Sequence, residues 1–230
     1  MQEEAPMCDL QESMIRKLCP LFFGLCLALS AREQVQLVTT EHFDLAAGGL
    51  VRVMDSTGEL NIEGWDRPDV EVTVTRLNEA DPGKKDQVTR ELKRIEVTTK
   101  RQSDGELVIT TKKPARSGLN IALDYRIRVP MGTRLAIRHK TGDVVIFNVG
   151  GDIDASAKLG GIVVQLPVPA SYAIDAKKGI GTLYNDFAGE PTAKDGTPHK
   201  IHLHVSIGGI EIQKVTTEAA LNAEGPMKVQ

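Results

Sequence analysis

Three histidines stand close together towards the carboxyl end of the chain, in the segment His199-Lys-Ile-His202-Leu-His204. Side chains two residues apart in a strand point to the same face, so His202 and His204 would lie side by side. Two neutral imidazoles can bind a transition metal when a further ligand completes the site. No such ligand is evident nearby in the sequence, and the same spacing describes the solvated face of an ordinary strand. We favour the solvated face and keep a metal site at these two histidines as the alternative.

A row of lysines is the second candidate site. Each stands two residues before a turn glycine: Lys140, Lys158 and Lys177. If their strands stack in register, the ammonium groups would form a basic ladder that could bind an anionic glycan, a lipid headgroup or an acidic partner. Three aspartates lie close enough in the sequence to neutralise much of this charge: Asp143, Asp152 and Asp154. Ordinary solvated turns are therefore the alternative.

The single tryptophan, Trp65, lies in the segment Gly64-Trp-Asp-Arg-Pro, whose composition is typical of a turn between strands. An exposed ring at this position could stack on a sugar. A ring that covers the end of a sheet as a hydrophobic plug explains the residue equally well, and we favour that interpretation. Trp65 thus joins the lysines as a candidate partner surface.

Groups that could perform catalysis are few. Carboxylate pairs for glycoside hydrolysis could come from Asp66 and Asp69, or from Asp152 and Asp154. The chain contains no G-x-S-x-G elbow, no phosphate-binding glycine loop and no H-E-x-x-H motif. Its three cysteines all precede residue 27: Cys8, Cys19 and Cys26. We predict no catalytic residues, no cofactor and no enzymatic activity.

The elements that would position these side chains are β-strands. Apolar and polar residues alternate over 70–75, 124–129 and 201–206, which places one strand face in a core and the other in water. The strands recur as a strand-turn-strand unit with a glycine seven residues after the first apolar position. Successive units begin at Val51, Leu135, Ile153, Tyr172 and Ile201, with Gly58, Gly142, Gly160, Gly179 and Gly208 in the turns.

This repeat predicts an all-β fold, specifically a β-solenoid-like stack of strand-turn-strand units. A plain sandwich whose hairpins resemble one another is the alternative. The glycine- and proline-rich stretch 188–198 predicts a loop inserted before the last unit.

One short amphipathic helix is expected near residues 84–93, lying over the first strands. Asp81 would be its N-cap and Pro82 its first residue. Val88, Leu92 and Ile95 follow at helical spacing and would form its buried face.

The amino-terminal segment has the pattern of a secretory signal peptide. Arg16 and Lys17 precede an apolar run over 18–29, and small residues allow cleavage ahead of Ala31. We predict a signal peptide over 1–30 and one β-repeat domain over 31–230. Residues 1–13 would be a mis-called start with Met14 as the true one, and a retained membrane anchor is the alternative to cleavage.

The charge balance carries little information about partners. The formal net charge is −3, and nucleic-acid binding would need a basic face. We therefore expect no nucleic acid, contact with a membrane only through a retained leader, and a glycan or protein partner of the cell envelope. The sequence leaves the oligomeric state open.

Three segments of this chain resemble the bacterial DUF4097 family of adhesin-like β-strand-repeat proteins. They are 58–74, which contains Gly58-Glu-Leu-Asn-Ile-Glu-Gly-Trp, then Tyr125-Arg-Ile-Arg-Val-Pro-Met-Gly-Thr-Arg-Leu, and Thr141-Gly-Asp-Val-Val-Ile. The resemblance covers roughly 40–214 and extends to the autotransporter adhesin head domains to which that family is related. It implies a β-solenoid-like fold and an exported location, and it brings no catalytic residues.

The function that we predict is a non-catalytic, exported binding or structural module of the bacterial cell envelope. An envelope-stress sensor or regulator that acts through a protein partner is the main alternative. A carbohydrate-active hydrolase on a β-helix scaffold is the third hypothesis.

Overall fold

The computed structural model describes residues 32–114, 121–168, 170–189 and 197–216. The predicted leader lies outside the described residues, as do 190–196 of the predicted loop. The elements, in chain order, are β1 (Glu33–Asp44), β2 (Leu50–Thr57), β3 (Glu59–Trp65), β4 (Asp69–Ala80), α1 (Lys85–Lys93), β5 (Glu96–Arg101), β6 (Leu107–Lys112), β7 (Ala122–Pro130), β8 (Arg134–Thr141), β9 (Val144–Phe147), β10 (Ile153–Leu159), β11 (Ile162–Val168), β12 (Tyr172–Ile180), β13 (Leu183–Asn185), β14 (His199–Ile207) and β15 (Ile210–Thr216). The predicted all-β class is confirmed.

The strands form two mixed sheets. Sheet I has eight strands in the order β1-β4-β7-β3-β9-β11-β15-β13, and sheet II has seven in the order β12-β14-β10-β8-β2-β6-β5. The β1–β4, β4–β7 and β5–β6 pairs are antiparallel, and the remaining pairs are parallel. Among the described strands neither sheet closes on itself, so each sheet has two edge strands.

The core consists of the inward-facing residues of both sheets. Alternate residues are buried along the strands, as Ile153 and Ala155 are in β10 and Ile162 and Val164 in β11. With few aromatic residues available, the core is filled by Val, Ile, Leu and Ala. These residues belong to one continuous hydrophobic cluster. Burial of β-branched side chains on a pleated surface is what makes these segments strands.

The turns between the two sheets are stacked on one another through glycines. Gly58, Gly142, Gly160, Gly208 and Gly181 all have positive φ. A Cβ on Gly142 would lie 2.0 Å from the carbonyl oxygen of Gly58, and a Cβ on Gly160 would lie 2.0 Å from that of Gly142. Each turn therefore needs glycine twice over, for its backbone conformation and for its neighbour's approach. We call these residues the glycine ladder.

The order of the units in space differs from their order in the chain. The unit β14–β15, which comes last, lies between β10–β11 and β12–β13 in both sheets. The earliest unit, β2–β3, lies beside β8–β9. As a result the unit β12–β13 forms one end of both sheets.

The predicted start of the unit at Tyr172, with Gly179 in its turn, is wrong by two residues. Ile174 pairs with Ile201, and Gly181 stacks on Gly208. The unit therefore begins at Ile174, and its turn glycine is Gly181. A shift of two residues preserves the alternation of strand faces, so the pattern could not reveal the error.

The predicted helix is confirmed as α1, and its cap is not. Val88 and Leu92 are buried against β1 and β4. The N-cap is Lys84, without a side-chain cap hydrogen bond. Asp81 contributes its carbonyl oxygen to the Lys84 N–H at 3.0 Å, and Pro82 belongs to the turn before the helix. No helix in the described part of the chain is both long and apolar enough to cross a membrane.

Candidate binding surface

Trp65 ends β3 at the start of the turn into β4. Its indole N–H donates to the carbonyl oxygen of Asp69 at 2.8 Å, which holds the ring across the turn. The residue before it, Gly64, packs so closely that a Cβ there would lie 2.0 Å from the carbonyl oxygen of Asn148. The tight packing and the hydrogen bond fix a half-buried ring at the carboxyl end of this interior strand of sheet I.

A groove of about 350 Å³ opens beside this ring. It is lined by Leu45, Ala47, Trp65, Asp66, Arg67, Pro68, Pro130 and Met131. The guanidinium carbons of Arg67 and Arg128 lie 5.0 and 5.6 Å from the centre of the Trp65 ring, within cation–π range. We call this feature the Trp65 groove.

The two arginines at the groove differ in their charge partners. Arg128 donates to Glu63 at 3.2 Å and to Glu71 at 3.5 Å, so its charge is matched within the sheet. Within the described residues, Arg67 has no carboxylate at ion-pair distance, and its side chain is exposed. The groove therefore combines an apolar floor with a guanidinium group able to meet an anion from outside.

The sequence allows two roles for Trp65, stacking on a sugar or covering the end of the sheet as a hydrophobic plug. The ring is neither free nor fully covered, so it supports the turn and also lines the groove. Its role in binding stays a prediction.

The lysines do not form one ladder. Lys140 and Lys158 occupy equivalent positions of neighbouring strands, between the pairs His139–Ala157 and Thr141–Leu159. Lys177 instead lies beside His204, in a different row. Lys140 forms an ion pair with Asp55 at 2.8 Å and Lys177 one with Asp175 at 3.0 Å.

The three aspartates expected to neutralise the lysines are used elsewhere. Asp143 accepts from the Gly161 N–H at 2.7 Å, and Asp152 accepts from the Lys200 N–H at 2.8 Å. The carboxylate of Asp154 accepts hydrogen bonds from both terminal guanidinium nitrogens of Arg138, at 2.7 and 3.2 Å. Asp152 and Asp154 are thus occupied in holding strands together. At the Trp65 turn, Asp69 contacts His42 at 3.3 Å.

His202 and His204 share the exposed face of β14, as the alternation predicts. The Nδ1 atom of His202 lies 3.5 Å from Asp175, a carboxylate of the neighbouring strand β12. Among the described residues no group of three or more His, Cys, Asp or Glu side chains is arranged to hold a metal ion. The metal hypothesis stays untested and has gained no third ligand.

The sequence pattern did not single out His139 as a buried histidine. His139 is 2% exposed, and its Nδ1 lies 2.8 Å from the hydroxyl of Ser56. Its Nε2 has no hydrogen-bond partner within the described chain. Burial lowers the pKa of this imidazole, although nearby backbone groups oppose the effect. Its position two residues after Ile137, on the inward side of β8, was the signal that could have identified it.

Comparison with solved structures shows likeness at the level of the fold. A "putative cell adhesion protein" from Clostridium sporogenes superposes with a TM-score of 0.52 at 16% identity, covering 78% of this chain and all (100%) of that one. A "putative adhesin" from Bacteroides fragilis covers 78% of this chain and 97% of its own at 11% identity, with a TM-score of only 0.28. No model of a known protein family matches the chain, and no curated protein matches it significantly.

Proposed function

We propose that this chain is an exported, non-catalytic, adhesin-like binding module of the bacterial cell envelope, with its strand-turn-strand units forming a β-solenoid-like stack. The observation that carries the proposal is the glycine ladder. It stacks the turns of neighbouring units, and each of these units contributes one strand to each sheet. The two sheets therefore present broad outer faces. Stacked repeats of this kind typically bind through extended surfaces.

The fold comparison supports the same proposal. The Clostridium sporogenes protein, whose whole length is covered, is described as a "putative cell adhesion protein". At 16% identity the likeness concerns the fold, and the binding role for the present chain is inferred from its surfaces as well.

The contact point that we propose is the Trp65 groove, and its ligand an envelope glycan that carries carboxylates. Indole rings bind the apolar faces of sugars. Guanidinium groups bind carboxylates through paired, charge-assisted hydrogen bonds. Trp65 and the exposed Arg67 place these two chemistries side by side.

Binding of the full-length chain to immobilised envelope polysaccharides, acidic and neutral, tests the proposal. We expect binding to the acidic polysaccharides and a loss of about ten- to a hundredfold in affinity for Arg67→Glu, since a charge-assisted contact contributes about 1.5–3 kcal/mol. Trp65→Phe should weaken binding while preserving the aromatic packing.

Lys100→Glu is the matched control, because it makes the same charge change on an exposed side chain of sheet II that belongs to neither candidate surface. Equal losses for Lys100→Glu and Arg67→Glu would show a general effect of charge and contradict the groove as the contact point. Binding only to a protease-sensitive component of the envelope would contradict the glycan and indicate a protein partner.

A further inference from the structure

The strand β12 is the outermost strand at one end of sheet II in the described part of the chain. Among the described residues it pairs with β14 on one side and with no strand on the other. It has nine residues, no proline and no β-bulge that the pairing records. An edge of this kind presents backbone N–H and C=O groups that can pair with another chain.

Burial of the core also falls off at this end. Ile174 and Ala176 are only partly buried, whereas their partners Ile201 and Leu203 in β14 are fully buried. Within sheet II, the inward-facing side chains of β12 are therefore flanked by a neighbouring strand, β14, on one side only.

Three apolar side chains form an exposed ridge across the neighbouring strands. Leu159 pairs with Ile207, and Ile207 with Ile180. The exposed fractions of these side chains rise towards the edge, from 49% and 49% to 73% at Ile180. Burial of Ile180 by a further strand would remove apolar surface from water.

The side chains of β12 are complementary to those of a second β12 strand that runs antiparallel to it. In an antiparallel pair of two β12 strands with Ala176 opposite itself, Asp175 lies opposite Lys177 of the second copy, and Lys177 opposite Asp175. Ile180 lies opposite Tyr172 and Ile174 opposite Lys178, whose aliphatic stem can cover it. We propose that two copies of this chain associate end to end through β12 in this register.

Charge selects this register over its neighbours. The smallest shift that keeps the same strand faces together is two residues. In one direction it places Asp175 opposite Asp175, and in the other it places Lys177 opposite Lys177. Like charges directly opposite each other in a sheet are destabilising. Lysines on an edge usually prevent pairing; here Lys177 disfavours one of the two neighbouring registers and Asp175 disfavours the other.

The two charged groups are positioned for this role. Asp175 and Lys177 both lie on the outer face, 3.0 Å apart within one copy, with side-chain exposures of 47% and 72%. Pairing would assemble four groups of alternating charge around the two-fold axis. A two-fold axis through a residue pair is the simplest closed symmetry for identical chains.

Sedimentation velocity of the full-length chain over a range of concentrations tests the proposal. We expect a dimer, and a dissociation constant raised about tenfold or more by Asp175→Lys or by Lys177→Asp alone. The double variant Asp175→Lys/Lys177→Asp restores opposite charges across the axis and should recover the dimer. Lys100→Asp, on the outer strand β5 at the far edge of the same sheet, is the matched control and should leave association unchanged.

A cysteine pair checks the register directly. In a background with Cys8, Cys19 and Cys26 replaced by serine, Ala176→Cys should form an intermolecular disulfide on mild oxidation, because it lies opposite itself. Lys100→Cys should not. A chain that stays monomeric at all concentrations overturns the proposal, as does a dimer that single charge reversal leaves unchanged or that Ala176→Cys fails to cross-link.

Discussion

His139 occupies an inward position of β8 where alternation calls for an apolar residue. Its imidazole is buried, with Ser56 as a partner for Nδ1 and none in the described chain for Nε2. Burial lowers the pKa of the imidazole from its ordinary value of 6.5. The neutral ring is therefore the form that the fold accepts.

The stability of the protein should depend on pH through this residue. The unfolded chain takes up a proton near pH 6.5, which the folded chain accepts only at lower pH. The free energy of unfolding should hold steady above about pH 7 and fall as the pH drops through 6.5, by at most about 1.4 kcal/mol per unit for one group. Urea denaturation between pH 5 and pH 8 measures this slope.

His139→Gln keeps a polar group for Ser56 and removes the titration, so it should flatten the pH dependence. His204→Gln changes an exposed histidine and serves as the control. If His139→Gln retained the slope of the unaltered chain, another group would be responsible.

At the scale of elements, the glycine ladder couples each turn to the next. Gly160 has φ of 126°, and its backbone N–H donates to Ile207 while its α-carbon faces the carbonyl of Gly142. A side chain at this position would therefore disturb two turns at once. Gly83 and Gly105 also have positive φ but lack this second constraint, since nothing lies within 4 Å of an added Cβ there.

Gly160→Ala should lower the free energy of unfolding by about 4 kcal/mol or more, since backbone strain and a backbone clash add. Gly105→Ala is the comparison. Gly105 also has positive φ, at 85°, but nothing lies within 4 Å of its added Cβ. That substitution should cost about 1–2 kcal/mol from the backbone conformation alone. Thermal or denaturant unfolding of both variants separates strain from stacking, and equal losses would contradict the coupling of turns.

The sequence predicts the elements better than their arrangement. Alternation identified the strands around Val70 and Ile201, and helical spacing identified α1, because burial imposes those periods directly. It could not distinguish Gly179 from Gly181 as the turn glycine, since both choices keep the same faces inward. The prediction of Asp81 as the N-cap was wrong for a different reason, because Asp81 and Pro82 are equally suited to the turn that precedes the helix.

The candidate site shows the same division. Sequence composition singled out Trp65, and Arg67 follows two residues later in the same turn, but the second arginine neighbour comes from another strand. Arg128 reaches the ring from β7, which only the sheet order brings next to β3. The lysine ladder failed because it assumed the register of β12 that the structure corrects.

At the scale of the whole molecule, two open sheets with charged and polar outer faces form one body of strands. The location of this body in the cell depends on the leader, which the sequence predicts to be cleaved ahead of Ala31. An exported binding module and an anchored envelope sensor differ in this respect.

Cell fractionation with amino-terminal sequencing of the recovered protein separates them. We expect a chain beginning near Ala31 in the periplasm or the medium. A variant with Arg16→Glu and Lys17→Glu should remain uncleaved, because the basic flank of the signal would be lost. Recovery of the unaltered chain, uncleaved, in the membrane would favour the sensor, and recovery in the cytosol would contradict export.

The order of the units in space also governs how the molecule can be assembled during synthesis. The unit β14–β15 is made last and yet lies between β10–β11 and β12–β13. Until β14–β15 is present, the strands β12 and β13 lack the unit with which they pair in the folded structure. The unit β14–β15 therefore has to take its place between two units that precede it in the chain, and it connects them in both sheets. Loss of the last 32 residues, from His199 to Gln230, would remove an interior unit, and β12–β13 would lose its attachment to both sheets.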